Sequence, residues 1–207
     1  MINQKERTLT MSEIKKKFIS AQELLEDSMR LGIKVLQSGF KPHFIVAIWR
    51  GGTPVGIAVQ ELLDYFGVKT DHIAIRTSYY TGINQKGEQI RVHGLGYVVK
   101  NANAEDALLI VDDVYDSGRS VQALIASLKE DARKNTPSDI RIATIYYKPS
   151  NNKTNQIPDY YLYETDAWLV FPHELNGLST EEIKEYKPRA AELLKGVKKN
   201  GNHQGVY

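Results

Sequence analysis

The sequence predicts an α/β fold: a mostly parallel, twisted sheet flanked by helices. Three observations carry that expectation. Two short runs are continuously apolar, FIVAIW at 44–49 and LLIV at 108–111, as strands buried on both faces must be. Stretches with apolar residues at helical spacing follow each of them, the alternation that parallel βαβ units impose. A chain of 207 residues supports one core with at most a small appendage, and neither an internal repeat nor a linker divides it.

Taken in order, Ser20 and Glu23 form a capping-box pattern. Leu24, Leu25, Leu31, Val35 and Leu36 recur behind it, so a helix runs to about Gly39. FIVAIW is the next strand. Thr53 and Pro54 then offer an N-cap and a first-turn proline for a helix reaching about Phe66. From Val68 to Tyr79 the chain reads as extended, with Ile73, Ile75 and Thr77 on one face and Ala74, Arg76 and Ser78 on the other. The polar stretch TGINQKGEQIRVHG, 81–94, is long for a connection inside a domain; it is either a lid or a plain hairpin with a loose tip. After LLIV, the spacing of Val121, Leu124, Ile125 and Leu128 predicts a helix from Ser117 to about Lys134, and Ile140–Tyr147 is again a strand. A strand near Tyr160–Glu164, the segment AWLVFPHEL and helices after Ser179 and Pro188 follow. The tail GVKKNGNHQGVY reads as frayed.

The 27 Lys and Arg against 25 Asp and Glu leave a net charge of +2, which points away from nucleic acid as a partner. With no cysteine, disulfides, thiolate zinc sites and cysteine nucleophiles are excluded. No apolar run approaches the ~20 residues of a membrane helix. The stretch MINQKERTLTMSEIKKKFIS has no apolar signal core, and the expectation is a cytoplasmic protein without membrane contact.

The densest chemistry lies in LLIVDDVYDSGRS, 108–120. Asp112 and Asp113 fall where a buried strand ends, at the sheet edge where such folds bind ligands. Ionised carboxylates there accept hydrogen bonds from paired sugar hydroxyls. Behind them Ser117, Gly118 and Ser120 combine hydroxyls, free backbone N–H groups and a helix N-terminus, a setting that suits a phosphate dianion. Hydroxyls at one end and phosphate at the other describe a sugar phosphate. Taken singly, Asp116 or Ser117 could instead cap the helix, with the other acids solvated; the ordered set is what argues for a ligand. The acids do not alternate as in an EF-hand loop, and no glutamate closes one. The glycine and lysine spacings of a Walker A loop or a dinucleotide fingerprint are missing too.

This segment resembles the phosphoribosyl-pyrophosphate signature of the type I phosphoribosyltransferases: an apolar strand, two acids, an apolar residue, any residue, Asp, Ser or Thr, Gly, any residue, and Ser or Thr. The resemblance implies their fold. It sets Asp112 and Asp113 on the ribose hydroxyls, the loop of Ser117, Gly118, Arg119 and Ser120 on the 5′-phosphate, and Asp116 as general base toward a purine N7. Arg50-Gly51-Gly52 is similar to the pyrophosphate loop of the xanthine–guanine and hypoxanthine–guanine enzymes. Its two glycines would relax an otherwise strained backbone whose N–H groups face an anion. Ser78-Tyr79, with QIRVHG at 89–94, resembles their closing catalytic loop, which favours a lid that excludes water. Lys148 matches the lysine that donates to a purine O6, Trp168 the aromatic that stacks on the purine, and Leu169 the backbone contact at the base edge. Glu174 resembles an acid that helps hold metal and pyrophosphate, and His173 stands where a Trp is common before it.

By this resemblance the chain divides into an N-terminal arm and helix (1–39), a phosphoribosyltransferase core (40–150) with a lid loop at 80–97, a base-binding hood with C-terminal helices (151–195) and a flexible tail (196–207). The implied activity is purine salvage: transfer of ribose 5-phosphate from phosphoribosyl pyrophosphate to N9 of hypoxanthine, guanine or xanthine, releasing pyrophosphate. Mg²⁺ is the implied cofactor, with Asp112, Asp113 and Glu174 as its ligands, and a homo-oligomer the implied assembly. The alternatives are a regulator of the same fold that binds the ligand without catalysis, and a transferase for adenine, orotate or uracil. Tyr115, Arg119 and His173 depart from the family's commonest choices, and Tyr115 is large for a residue beside the base.

Overall fold

The computed structural model describes residues 16–80 and 89–197. Over these the chain runs β1 (Lys16–Phe18), α1 (Ala21–Gln37), β2 (Phe44–Trp49), α2 (Gly52–Tyr65), β3 (Asp71–Tyr80), β4 (Gln89–His93), α3 (Gly96–Asn101), β5 (Ala107–Tyr115), α4 (Arg119–Ala132), β6 (Asp139–Tyr147), β7 (Tyr160–Glu164), β8 (Trp168–Val170), α5 (Thr180–Tyr186) and α6 (Pro188–Leu193). Six strands form one sheet in the order β4-β3-β2-β5-β6-β7, and β1 pairs with β8 in a separate two-stranded sheet. Within the larger sheet every pairing is parallel except that of β3 with β4. The fold is the α/β architecture that the apolar runs predicted.

Alternation along the strands builds two cores. Ile45, Leu109, Val111, Ala143 and Ile145 meet Leu24, Leu31 and Val35 of α1 and Val55, Val59 and Leu63 of α2. Val46, Ile48, Leu108, Ile110 and Ile142 instead meet Val98 of α3 and Val121, Leu124 and Leu128 of α4. With helices on both faces, the period of two disappears from the sequence, and FIVAIW and LLIV read as unbroken apolar runs. The capping box at Ser20 forms: the Glu23 N–H donates to Ser20 Oγ at 3.1 Å and the Ser20 N–H to Glu23 Oε2 at 2.8 Å. Such a cap stabilises a helix start by about 1 kcal/mol.

Several boundaries differ from the sequence reading, each for a backbone reason. Helix α2 starts at Gly52, with Gly51 already helical (φ −65°, ψ −33°) as its cap. Thr53 is therefore not the N-cap, and its Oγ1 is buried without a hydrogen-bond partner. Helix α4 begins at Arg119 rather than Ser117, because Gly118, at φ 75°, turns the chain through the left-handed region first. Neither Asp116 nor Ser117 is the cap residue. Strand β5 continues past LLIV to Tyr115, since Asp112, Val114 and Tyr115 stay in register with Thr144, Tyr146 and Tyr147. Strand β3 starts at Asp71, three residues after the expected Val68. Strand β1 and helix α3, with 3 and 6 residues, are too short to show a period and were invisible to pattern reading.

Strand β4 returns antiparallel along β3, with Arg76 opposite His93 and Tyr79 opposite Ile90. The stem of the polar stretch is thus a hairpin; its tip, 81–88, on which the lid reading rests, lies outside the described residues, as do 198–207 of the expected frayed tail. Toward the C-terminus, Lys16 pairs with Glu182 at 2.6 Å and Phe18 stacks on Tyr186 at 4.0 Å between ring centres, tying α5 to β1. Among the described residues no helix is long and apolar enough to cross a membrane.

Candidate active site

Strand β2 feeds α2 on one face of the sheet, and its neighbour β5 feeds α4 on the other. Where adjacent strands diverge in this way, a crevice opens beyond their carboxyl ends. Three loops meet there: the one after β2, the one after β5 and the one after β6.

Arg50, Gly51 and Gly52 leave β2 and press directly on the end of β5. A Cβ on Gly51 would lie 1.7 Å from Asp113 Oδ2, and one on Gly52 would lie 2.6 Å from the Val111 carbonyl oxygen and 2.9 Å from Asp112 Oδ1. Neither glycine is among those with positive φ. The pair is there for close approach, not for the strained backbone that the sequence reading assumed.

Asp112 and Asp113 face this loop. The Asp113 N–H donates to Asp112 Oδ1 at 3.0 Å and the Val114 N–H to Asp113 Oδ1 at 2.8 Å, which fixes both side chains. Burial pushes the Asp112 carboxyl well above the ordinary carboxylate range, and the Asp113 charge adds to it. Burial also raises Asp113, to about 6; its hydrogen bonds to Asp112 and the Val114 N–H oppose that rise, and the charge of Glu174 adds to it. Hydroxyl donors or a cation would offset the desolvation of the pair.

Beyond β5 a small cavity of about 100 Å³ opens over the start of α4, walled by Tyr79, Tyr115, Ser117, Gly118 and Ser120. Gly118 is required twice over: φ is 75°, and a Cβ there would lie 2.5 Å from the Tyr115 hydroxyl oxygen. Tyr115 is buried and packs edge-on against Tyr147 at 5.9 Å, with its hydroxyl 3.0 Å from Thr154 Oγ1. Its bulk, unexpected beside a base, supports the Ser117–Ser120 loop from beneath.

The cavity at the strand ends, of about 330 Å³, is lined by Arg50 and Gly51, by Asp112, Asp113 and Asp116, and by Lys148, Trp168 and Leu169. Lys148 is buried, and its Nζ lies 3.1 Å from Asp116 Oδ2. Asn151 Nδ2 donates to the other oxygen, Asp116 Oδ1, at 2.7 Å. Trp168 is 55% exposed, whereas Leu169 is buried. Glu174 lines the cavity, its Oε2 accepting from the Phe171 N–H at 3.0 Å. His173 stacks on Phe171 at 5.9 Å, and burial lowers its pKa.

The structure therefore brings Arg50, Gly51, Asp112, Asp113, Asp116, Ser120, Lys148, Trp168, Leu169 and Glu174 to one cavity, and Tyr79, Ser117 and Gly118 to the small one beside it. Three expected residues line neither. Gly52 lies beneath Asp112, Arg119 is exposed at the start of α4, and Ser78 bonds across the hairpin to His93 Nε2 at 3.1 Å. Sequence reasoning missed Trp49, Thr77 and Phe171 in the lining, and Asn151. Only Asn151 carries a readable signal, its spacing of three from Lys148. A larger groove of about 560 Å³ opens nearby between α1 and α2, but Leu24, Leu25, Pro54 and Ile57 make it apolar, and among the described residues no acid lines it.

The model of the phosphoribosyl transferase domain matches residues 17–176. The chain belongs to the phosphoribosyltransferase family. That match spans both cavities and all three loops. Among solved structures, a purine phosphoribosyltransferase from Pyrococcus horikoshii is similar, with 25% identity and a TM-score of 0.63 over 79% of this chain and 97% of that one. A Neisseria gonorrhoeae protein solved with bound ppGpp is similar over 87% of this chain and 97% of that one, at 21% identity and a TM-score of 0.67. A xanthine–guanine–hypoxanthine phosphoribosyltransferase from Helicobacter pylori has 20% identity and a TM-score of 0.59, over 82% of this chain and 99% of that one. No curated protein sequence matches the chain.

Proposed function

We propose that this phosphoribosyltransferase acts on 6-oxopurines, moving ribose 5-phosphate from phosphoribosyl pyrophosphate to N9 of hypoxanthine, guanine or xanthine in purine salvage. One observation carries the reading: Lys148 Nζ and Asp116 Oδ2 stand 3.1 Å apart in the cavity wall. A cation beside a carboxylate matches O6 and N7, which lie side by side on one edge of a 6-oxopurine. The amino group of adenine would set donor against donor at Lys148.

In this reading Ser117, Gly118 and Ser120 hold the 5′-phosphate, Asp112 and Asp113 hold the ribose hydroxyls, and Arg50 with Gly51 faces the pyrophosphate. Trp168 stacks on the base and Lys148 donates to O6. As N9 attacks, the N9–C1′ bond forms and the bond from C1′ to the pyrophosphate oxygen breaks. The N7 proton passes to Asp116. Ser78 and Tyr79, at the root of the hairpin, would carry a lid that excludes water from the cationic sugar.

The donors fit Mg²⁺. Asp112, Asp113 and Glu174 offer only oxygen, which that ion prefers, and burial leaves the two aspartates in need of a positive partner. Among the described residues no three such groups converge closely enough to hold a metal by themselves, so substrate oxygens and water would complete the shell. When bound, Mg²⁺ supplies neutralisation of the charge on the departing pyrophosphate. The reading includes a cytoplasmic setting and a homo-oligomer. Exposed Leu25, Met29 and Ile33 on α1 and Ile57 on α2 support contact between copies.

The test is to supply the purified protein with phosphoribosyl pyrophosphate and Mg²⁺, add hypoxanthine, guanine, xanthine, adenine, orotate or uracil singly, and measure nucleotide and pyrophosphate. Turnover with at least one 6-oxopurine is expected, and Asp116→Asn should keep phosphoribosyl pyrophosphate binding while losing most of it. Turnover confined to the other bases, or binding without turnover, would overturn the reading, the latter in favour of a regulator.

A further inference from the structure

We infer that Asn151 is a positioning residue for Asp116: its amide fixes one carboxylate oxygen so that the other faces the base while Lys148 serves the substrate. This rests on the reading of the site as a 6-oxopurine phosphoribosyltransferase.

Strand β6 ends at Tyr147, and the chain turns through one 3-10 turn, Pro149–Asn151, capped by Lys148. The Asn151 N–H closes that turn on the Lys148 carbonyl at 3.2 Å. That bond folds Asn151 back beside Lys148. Both end on Asp116, Lys148 at Oδ2 and Asn151 at Oδ1, at 3.1 and 2.7 Å. A carboxylate only accepts, so the amide nitrogen, not the amide oxygen, is the end of Asn151 that faces it.

The turn is anchored to the phosphate loop rather than hanging from the sheet. The Lys148 N–H donates to the Tyr115 carbonyl at 2.9 Å, and the Lys153 N–H to the Ser117 carbonyl at 3.0 Å. Thr154 Oγ1 meets the Tyr115 hydroxyl at 3.0 Å, and Asn152 Oδ1 accepts from the Thr154 N–H at 2.9 Å. Asn151 therefore moves with the loop that carries Asp116, and its grip survives small shifts of the hood.

Catalysis gives that grip a purpose. Lys148 has three N–H donors, but the one aimed at O6 draws Nζ toward the base and away from its 3.1 Å contact with Asp116 Oδ2. As it turns to the base, Asp116 would be free to rotate about its last bond, were Oδ1 not held. An oxygen that already accepts from an amide is also the poorer proton acceptor, so the N7 proton is directed to Oδ2.

The experiment compares Asn151→Ala, Asn151→Gln and Asp116→Asn with the unsubstituted protein in steady-state turnover, using the 6-oxopurine it uses best. For Asn151→Ala we expect kcat to fall about ten- to a hundredfold, a part of what a general base supplies. The KM for phosphoribosyl pyrophosphate should stay within about twofold. The melting temperature should hold, because Asn151 is exposed. Asn151→Gln keeps the donor at one methylene greater reach and should recover part of kcat. A kcat for Asn151→Ala within about threefold of the unsubstituted protein, with Asp116→Asn inactive, would overturn this inference alone. A joint shift of kcat, KM and melting temperature, without rescue by Gln, would also overturn it, as the mark of a merely structural residue. If the unsubstituted protein turns over no 6-oxopurine, the reading of the site fails first and the inference with it.

Discussion

Asp113→Asn should stabilise the ligand-free protein at neutral pH while removing a group that the proposed function places on the sugar. The folded Asp113 carboxyl is raised from 3.8 to about 6, chiefly by burial. A rise of that size means the folded state binds the proton more tightly than the unfolded state does. Stability is therefore lost as pH climbs through the window from about 4 to about 6, and the loss is complete above it. About two pKa units correspond to roughly 3 kcal/mol, an upper figure for the gain on substitution. For a chain of this size that is a rise in Tm of about 6–12 °C. Asparagine keeps the shape and the oxygen that accepts from the Val114 N–H. Thermal and urea unfolding would be followed in metal-free buffer from pH 4 to pH 8. The variant should be more stable at pH 8, the gap closing toward pH 4, and should lose turnover. A gap that does not change with pH, or a variant no more stable at pH 8, would refute the assignment of Asp113 as a buried charge that needs a ligand.

Gly118→Ala would place a Cβ at φ 75° and 2.5 Å from the Tyr115 hydroxyl; a loss of about 1–3 kcal/mol in urea unfolding is expected, with weaker phosphoribosyl pyrophosphate binding by calorimetry. Unchanged affinity would remove this loop from phosphate recognition. Ser20→Ala deletes the cap of α1 and should cost about 1 kcal/mol, or about 2–4 °C in Tm, with no change in turnover. Lys148→Ala should lower kcat/KM for a 6-oxopurine by about a hundredfold or more while the affinity for phosphoribosyl pyrophosphate holds; equal losses in both would make the lysine structural.

The LLIVDDVYDSGRS segment was legible because its chemistry is contiguous. The strand, both acids, Asp116 and the Ser117–Ser120 loop are one run of chain, and their residues line the two adjoining cavities. Arg50 and Lys148 were legible for a related reason: each follows the end of a strand, and the ends of parallel strands in one sheet converge. The reading went astray where two features competed for one position. Thr53-Pro54 resembles a helix start, yet the chain is helical from Gly52 because the glycines must already be turning against Asp112 and Asp113.

The alternation of apolar runs and helical stretches, the charge pattern and the dense motif are properties of neighbouring residues, and the sequence alone determined the α/β class and most of the residues that line the cavities. Contacts between distant segments were decided only by the fold. Asp116 and Asn151 are 35 positions apart, and Tyr115 and Thr154 are 39 apart. No local period records that Tyr115 lies beneath Gly118 rather than beside a base, or that Lys148 and Asn151 end on the same carboxylate. Those facts follow from the register of β5 with β6, and register is a property of paired strands rather than of either one.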